Sequence, residues 1–250
     1  MNTQFKVKII GSAFLLFDAD IFCSPTLQLF DTDYHTKQVS QQNILSSQSD
    51  TVASEGIGRA KVVYFSDEDK SFVLKHYYRG GLVASIVKDS YIGFDPDKTR
   101  AFQEFRLLKK MQELELPVPV AAAACAVKGL FSFRMDLITE EIKNVKTLAD
   151  KLSGQPLTQD RWNSIGACIR LFHLHDIYHA DLNTRNILLN DKDEIYIIDF
   201  DNSYFRRGEN AWKMANLLRL KRSLLKFKEN TDSFCFDEKN WSAFLAGYEQ

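Results

Sequence analysis

The chain has 250 residues, 45% of them hydrophobic and 26% charged, and its 32 basic and 33 acidic side chains leave a net charge of −1. That length supplies enough core for one large domain or two lobes, and the charge balance gives no global signal for nucleic acid. Cys23, Cys125, Cys168 and Cys235 lie far apart with no CxxC or Cys/His cluster, so neither a disulfide framework nor a zinc site is expected.

Taken in chain order, residues 5 to 17 read as strand. The lysines before the apolar run of "KVKIIGSAFLLF" imitate a signal sequence, but the run is short and enters "DADIF" without a small-residue cleavage site. No stretch approaches the roughly 20 apolar residues that span a bilayer, so a soluble or peripheral protein is expected. Residues 36 to 50 are polar and read as a helix end or loop. "GIGRAKVVYF" and "SFVLKHYY" read as strands joined by a hairpin turn at "SDEDK". From Lys98 to Glu115, Phe102, Phe105, Leu108 and Met111 recur every third residue among charges, which predicts a helix. The prolines of "LPVPV" end it, and strands follow in "VAAAACAV" and "LFSFRMDLI".

From Asp160 onward helices dominate, with "RWNSIGACIRLFHLHD" and a terminal "NWSAFLAGY". Between them, "NILLN" and "EIYIIDF" read as short strands around the acidic turn "DKDE". The character changes near residue 138. An α+β fold is expected, with a β-rich part over residues 1–138 and a helical part over 139–250. No internal repeat or low-complexity tract is present.

"HADLNTRNILL", residues 179 to 189, concentrates the polar chemistry. A hairpin from Ile187 to Ile198 would bring Asn186 beside Asp199. A carboxamide oxygen and a carboxylate are hard ligands, suited to Mg²⁺ that also holds phosphate oxygens. Asp181, outside that hairpin, is free to orient an incoming hydroxyl and accept its proton.

The pattern H-x-D-x4-N followed by an Asp-Phe pair resembles the catalytic and metal-binding loops of the protein-kinase fold. The resemblance implies a two-lobed kinase with a β-rich N-lobe and a compact helical C-lobe, using ATP and Mg²⁺. It makes Asp181 the catalytic base and Asn186 and Asp199 the metal ligands. It further implies that Gly56 and Gly58 cover phosphates, that Lys75 meets the α- and β-phosphates, and that Glu104 braces Lys75, with Glu113 and Glu115 as competitors. "MDLIT" then reads as the hinge at the adenine, and His179 as scaffold for the catalytic loop.

Three departures narrow the acceptor. "HAD" lacks the arginine that many protein kinases use to sense a phosphorylated loop, "DFD" has Asp201 in place of a glycine, and only 51 residues follow Asp199 without an "APE". These features favour a small-molecule or glycan acceptor over a protein. "HYYRGGL", "LPVP", "HADLN", "NILL", "IDFD" and "NLLRLKRS" together resemble the bacterial lipopolysaccharide core kinases, and among them those acting on 3-deoxy-D-manno-octulosonic acid (Kdo). The resemblance covers about Gly56 to Tyr248. It implies transfer to the 4-hydroxyl of Kdo on a lipid A precursor, at the cytoplasmic face of the inner membrane. A core heptose kinase, an aminoglycoside- or choline-type phosphotransferase and a pseudokinase scaffold are the alternatives.

Residues 206 to 228 hold eight Lys/Arg and one Glu, a local charge of +7, leaving −8 for the rest of the chain. Leu217, Leu220, Leu224 and Phe227 share one helical face there. Arg219, Lys221, Arg222 and Lys226, with Arg79 in the glycine-rich turn "YRGG", are the candidates for an anionic acceptor or lipid headgroups. Trp212 is a candidate interfacial anchor.

Overall fold

The computed structural model describes residues 5–37, 60–77, 91–92, 95–130, 132–192, 194–208 and 210–250. Gly56, Gly58 and Arg79 lie outside these residues, as does most of the polar stretch 36–50. The chain divides into two units, Met1–Lys109 with Val120–Glu141 and Lys110–Pro119 with Ile142–Gln250.

Hairpins build the sheet of the first unit. β1 (Phe5–Ile10) and β2 (Ala13–Asp18) pair antiparallel, Ile10 opposite Ala13. The single strand expected over 5–17 is therefore folded on itself. The reversal needs a left-handed residue, supplied by Gly11 at φ 59°. β3 (Ala60–Asp67) and β4 (Lys70–Tyr77) form the second hairpin at the expected turn, and Glu68 takes its positive φ. β5 (Tyr91–Ile92), β6 (Ala121–Lys128) and β7 (Ser132–Glu140) complete seven antiparallel strands, ordered β1-β2-β6-β7-β4-β3 with β5 against β7.

Met135–Thr139, read as the end of a strand and as a hinge, lies inside β7, with Asp136–Thr139 bonded to β4 on one side and β6 on the other. Its residues are strand because both neighbours satisfy their backbone groups, and the boundary between the units falls later, at Glu141 and Ile142. β6 is buried from Ala121 to Ala126, so alternation gives way to a continuous apolar run. Period-2 geometry separates two faces along β4. Phe72 and Leu74 join a cluster with Leu15, Phe17, Phe22, Phe30, Phe65 and Cys125, whereas Lys75 and Tyr77 turn toward α1 (Arg100–Glu113). Phe102, Phe105, Leu108 and Met111 of α1 are fully buried, each contributing about 1.5–3 kcal/mol.

The second unit is mainly helical. α2 (Leu148–Gly154) and α3 (Gln159–Leu174) start at Thr147 and Thr158, whose hydroxyls accept from Asp150 and Arg161 amides. α4 (Ala211–Asn230) and α5 (Glu238–Glu249) follow, the latter with a reciprocal capping box between Asp237 and Asn240. α3 and α5 cross backbone to backbone. A Cβ on Gly166 would stand 2.0 Å from the Phe244 carbonyl oxygen, and one on Gly247 would stand 2.0 Å from that of Asn163. Two small sheets carry the loops. β8 (Val145–Thr147), β10 (Ile187–Asn190) and β11 (Ile195–Ile197) pair in the order β11-β10-β8, while β9 (Ile177–Tyr178) pairs β12 (Tyr204–Phe205). The chain is thus sheet-rich toward its N-terminus and helical toward its C-terminus.

Candidate active site

The first unit holds one half of the predicted machinery. Lys75 Nζ donates to Glu104 Oε2 at 2.9 Å and to Oε1 at 3.2 Å. The lysine is 15% exposed and the glutamate 4%, so this is a nearly buried charge pair. The Tyr77 hydroxyl, two residues along the same strand face, also donates to Glu104 Oε2, and its ring lies 4.7 Å beneath the ammonium. Tyr77 was not expected from the sequence, although its offset of two from Lys75 on a strand marks a shared face. A second buried pair, Lys109 to Asp18 at 2.5 Å, ties α1 to the end of β2.

The second unit presents the predicted catalytic loop. Antiparallel pairing sets Ile187 opposite Ile197, and the Ile198 amide donates to the Asn186 carbonyl at 3.0 Å. The hairpin therefore puts Asn186 across from Ile198, with Asp199 the next residue. Asn186 is buried and spends its amide N–H on the Asp181 carbonyl at 2.9 Å, which leaves the side-chain oxygen as its remaining acceptor. Asp199 sits at φ 63°, and Phe200 beyond it is buried against Phe172 and His179. The left-handed residue turns the chain so that Phe200 enters the core while Asp199 stays at the strand end.

His179 accepts the Asp181 amide on Nδ1 at 3.1 Å, so its Nε2 carries the proton and donates to the Ile198 carbonyl at 3.0 Å. Both ring nitrogens are committed to backbone, as a scaffold role requires. The Asp181 carboxylate is 60% exposed; Oδ1 accepts from Arg219 at 3.1 Å and Oδ2 from Asn183 at 3.2 Å. A carboxylate has about four lone-pair sites, so room remains for a hydroxyl proton.

A stripe along α4 grips this loop. Asn216 bonds both backbone groups of His179, Arg219 meets Asp181, Ser223 bonds Thr184, and the Phe227 ring lies 5.3 Å from the Arg185 guanidinium. The intervals of three, four and four residues place all four on one helical face. Asn216 and Ser223 were not singled out in the sequence. Their signal is a polar residue beside the apolar stripe of Leu217, Leu220 and Leu224, all of which are buried. Trp212, a candidate interfacial anchor, is buried instead, with its ring 5.1 Å from that of His173. Lys221 pairs with Glu238 at 2.8 Å, while Arg222 and Lys226 are exposed. Met214, Leu218 and Leu225 are exposed on the face of α4 opposite the gripping stripe.

Burial pushes the thiols of Cys125 and Cys168 up to about 12, the former with help from Asp136, so neither is a nucleophile. Among the described residues no three of His, Cys, Asp and Glu cluster as a metal cage. An Asn and an Asp at a hairpin end do fit Mg²⁺ whose other ligands are water and phosphate oxygens.

The lipopolysaccharide kinase (Kdo/WaaP) family model matches residues 43–248. A 3-deoxy-D-manno-octulosonic acid kinase of Vibrio vulnificus (strain YJ016) is 36% identical over 240 residues, 96% of each chain. The enzyme of that name from Haemophilus influenzae (strain PittEE) is 34% identical over 245 residues, 95% of this chain and 96% of the other. One from Pasteurella multocida (strain Pm70) is 41% identical over 180 residues, 70% and 74% of the two.

Proposed function

Because this chain belongs to the lipopolysaccharide kinase (Kdo/WaaP) family, we propose that it transfers the γ-phosphoryl group of ATP to the 4-hydroxyl of Kdo on a lipid A precursor. The observation that carries this reading is the Asp181 carboxylate, open to solvent on a loop whose backbone His179, Asn186 and Asn216 hold. Asp181 accepts the proton of the sugar hydroxyl as that oxygen bonds to phosphorus and ADP leaves. Lys75, kept in place by Glu104, takes the α- and β-phosphates, with Gly56 and Gly58, outside the described residues, as the candidates for the phosphate loop. Asn186 and Asp199 hold Mg²⁺, which when bound neutralises phosphate charge. Such catalysis is positioning and electrostatics more than covalent chemistry.

Its proposed place of action is the cytoplasmic face of the inner membrane. No helix among the described residues is long and apolar enough to cross a membrane. The exposed Met214, Leu218 and Leu225 lie on the same helix as exposed Arg222 and Lys226, the combination that suits reversible attachment to an anionic surface. Each cation near such a surface contributes on the order of 1 kcal/mol.

The test is phosphate transfer from radiolabelled Mg·ATP to Kdo-bearing lipid A precursor, with Asp181→Ala alongside. Label on Kdo with the wild type and none with the variant is expected. Label on heptose-extended core or a soluble alcohol but not on Kdo would move the acceptor, and transfer to none of these would overturn the kinase reading.

A further inference from the structure

We infer that Arg219 is a specificity-determining residue, which reads the carboxylate of an acidic sugar acceptor while staying in contact with the catalytic aspartate. The inference rests on the proposed function, because it takes Asp181 as the base and an ulosonic acid as the acceptor.

Arg219 Nη1 lies 3.1 Å from Asp181 Oδ1, with side-chain exposures of 43% and 60%. An ion pair this open adds little to stability, so folding alone does not account for it. The guanidinium has five N–H donors in a planar fork, and one contact to Asp181 leaves others available on an exposed side chain. Three other cations on and near α4 are engaged elsewhere, while Arg222 and Lys226 are exposed without a contact to Asp181. Lys221 is paired with Glu238, Lys213 stands 3.9 Å from Asp176, and the Arg185 guanidinium lies over Phe227.

The chemistry of the acceptor supplies the other half. In Kdo the carboxyl group and the 4-hydroxyl are borne by carbons separated by a single ring carbon. Delivering that hydroxyl to Asp181 therefore brings a second negative charge close to the first. Without a cation there the two carboxylates repel. Arg219, already on Asp181, meets the incoming carboxylate with its remaining fork, the two-point geometry that suits guanidinium best. A neutral sugar has no group to occupy that fork, so the same contact that steadies the base selects for an acid.

The experiment crosses enzyme and acceptor. The ratio of kcat/KM on the free-acid Kdo acceptor to that on the same acceptor with its carboxyl capped as a methyl ester is measured for wild type, Arg219→Gln and Arg219→Lys. In wild type the ratio should be about 10- to 100-fold, the size of a lost hydrogen bond to a charged partner. In Arg219→Gln it should collapse toward one, with the loss on the free acid falling mainly on KM. Arg219→Lys, which keeps the charge without the fork, should fall between. Equal losses on both acceptors in Arg219→Gln, leaving the ratio unchanged, would overturn the inference and reduce Arg219 to a positioning residue. Should Arg219→Gln fail to fold, the wild-type and Arg219→Lys ratios still decide, since a wild-type ratio near one is incompatible with carboxylate reading. Absence of any wild-type transfer to the free-acid acceptor would instead overturn the proposed function, and this inference with it.

Discussion

Asn216 holds His179 by both of its backbone groups, accepting the amide at 3.3 Å and donating to the carbonyl at 2.9 Å. A single carboxamide on α4 thus does for the loop at His179 what a neighbouring strand would do. Removing it in Asn216→Ala exposes two buried backbone groups to an apolar site, at about 1–3 kcal/mol each. Asn216→Asp keeps an acceptor for the amide but has no donor for the carbonyl, and it buries a charge. Both variants should lower the urea midpoint and kcat while leaving the KM for ATP nearly unchanged, which unfolding curves and steady-state kinetics would show.

Lys75 and Glu104 predict a separation of stability from activity. Glu104→Ala removes the carboxylate shared by Lys75 and Tyr77, and losing one member of a buried pair costs about 3–5 kcal/mol. Replacing both, as Lys75→Met with Glu104→Gln, should recover part of that loss by removing the orphaned charge. It should recover none of the turnover, since the cation proposed to meet phosphate is gone. Paired denaturant titrations and ATP-dependent rates check both halves.

The backbone at Asp199 dictates which substitution is the better probe. At φ 63° an Asn is tolerated, whereas an Ala adds strain on the order of 1 kcal/mol. Asp199→Asn and Asp199→Ala should both lose phosphoryl transfer by at least about 100-fold, the usual effect of removing one electrostatic stabiliser. Only Asp199→Ala should also lose thermal stability. Retained activity in Asp199→Asn would be incompatible with its proposed metal role.

Acid sensitivity should trace to His173. Burial lowers its pKa from 6.5 to about 4; a hydrogen bond with Asn216 opposes the shift, and the charges of Lys213 and His179 add to it. The unfolded chain therefore binds a proton that the folded one refuses. This histidine's contribution is full above about pH 6.5 and is lost as pH falls toward 4, in total about 3 kcal/mol. His173→Gln, which can still meet the Tyr248 hydroxyl, should flatten the dependence of Tm on pH across that window. An unchanged slope would show that another group titrates.

Much of this arrangement was legible in the sequence because it is local. The period-three apolar residues of α1, the hairpin around "SDEDK" and the strand–turn–strand after Asn186 are each written within twenty residues. The pairing of Lys75 with Glu104 followed from the family resemblance, with Glu113 and Glu115 as the alternatives it left. What stayed hidden depends on contacts made across long stretches of chain. The boundary near residue 138 follows the change in composition, whereas the pairing of β7 carries the first unit on to Glu141. Trp212 looked amphipathic among lysines until His173, 39 residues earlier, proved to be its partner. The Arg219 contact was missed for a related reason. A basic run advertises charge, but which of its members meets a carboxylate depends on helix phase and on a loop 38 residues away.

The crossing of α3 over α5 bears on how this sequence can drift. Gly166 and Gly247 each face a backbone carbonyl on the other helix, so neither locus can gain a methyl group without moving a whole helix. Alanine would ordinarily be the better helix former by about 1 kcal/mol, and so a substitution that improves each helix locally is a fault globally. The two codons are locked together, although 81 residues apart in the chain. A deep mutational scan selecting only for folded protein should find both as intolerant as the most buried aromatics, in helices whose outer positions accept almost anything.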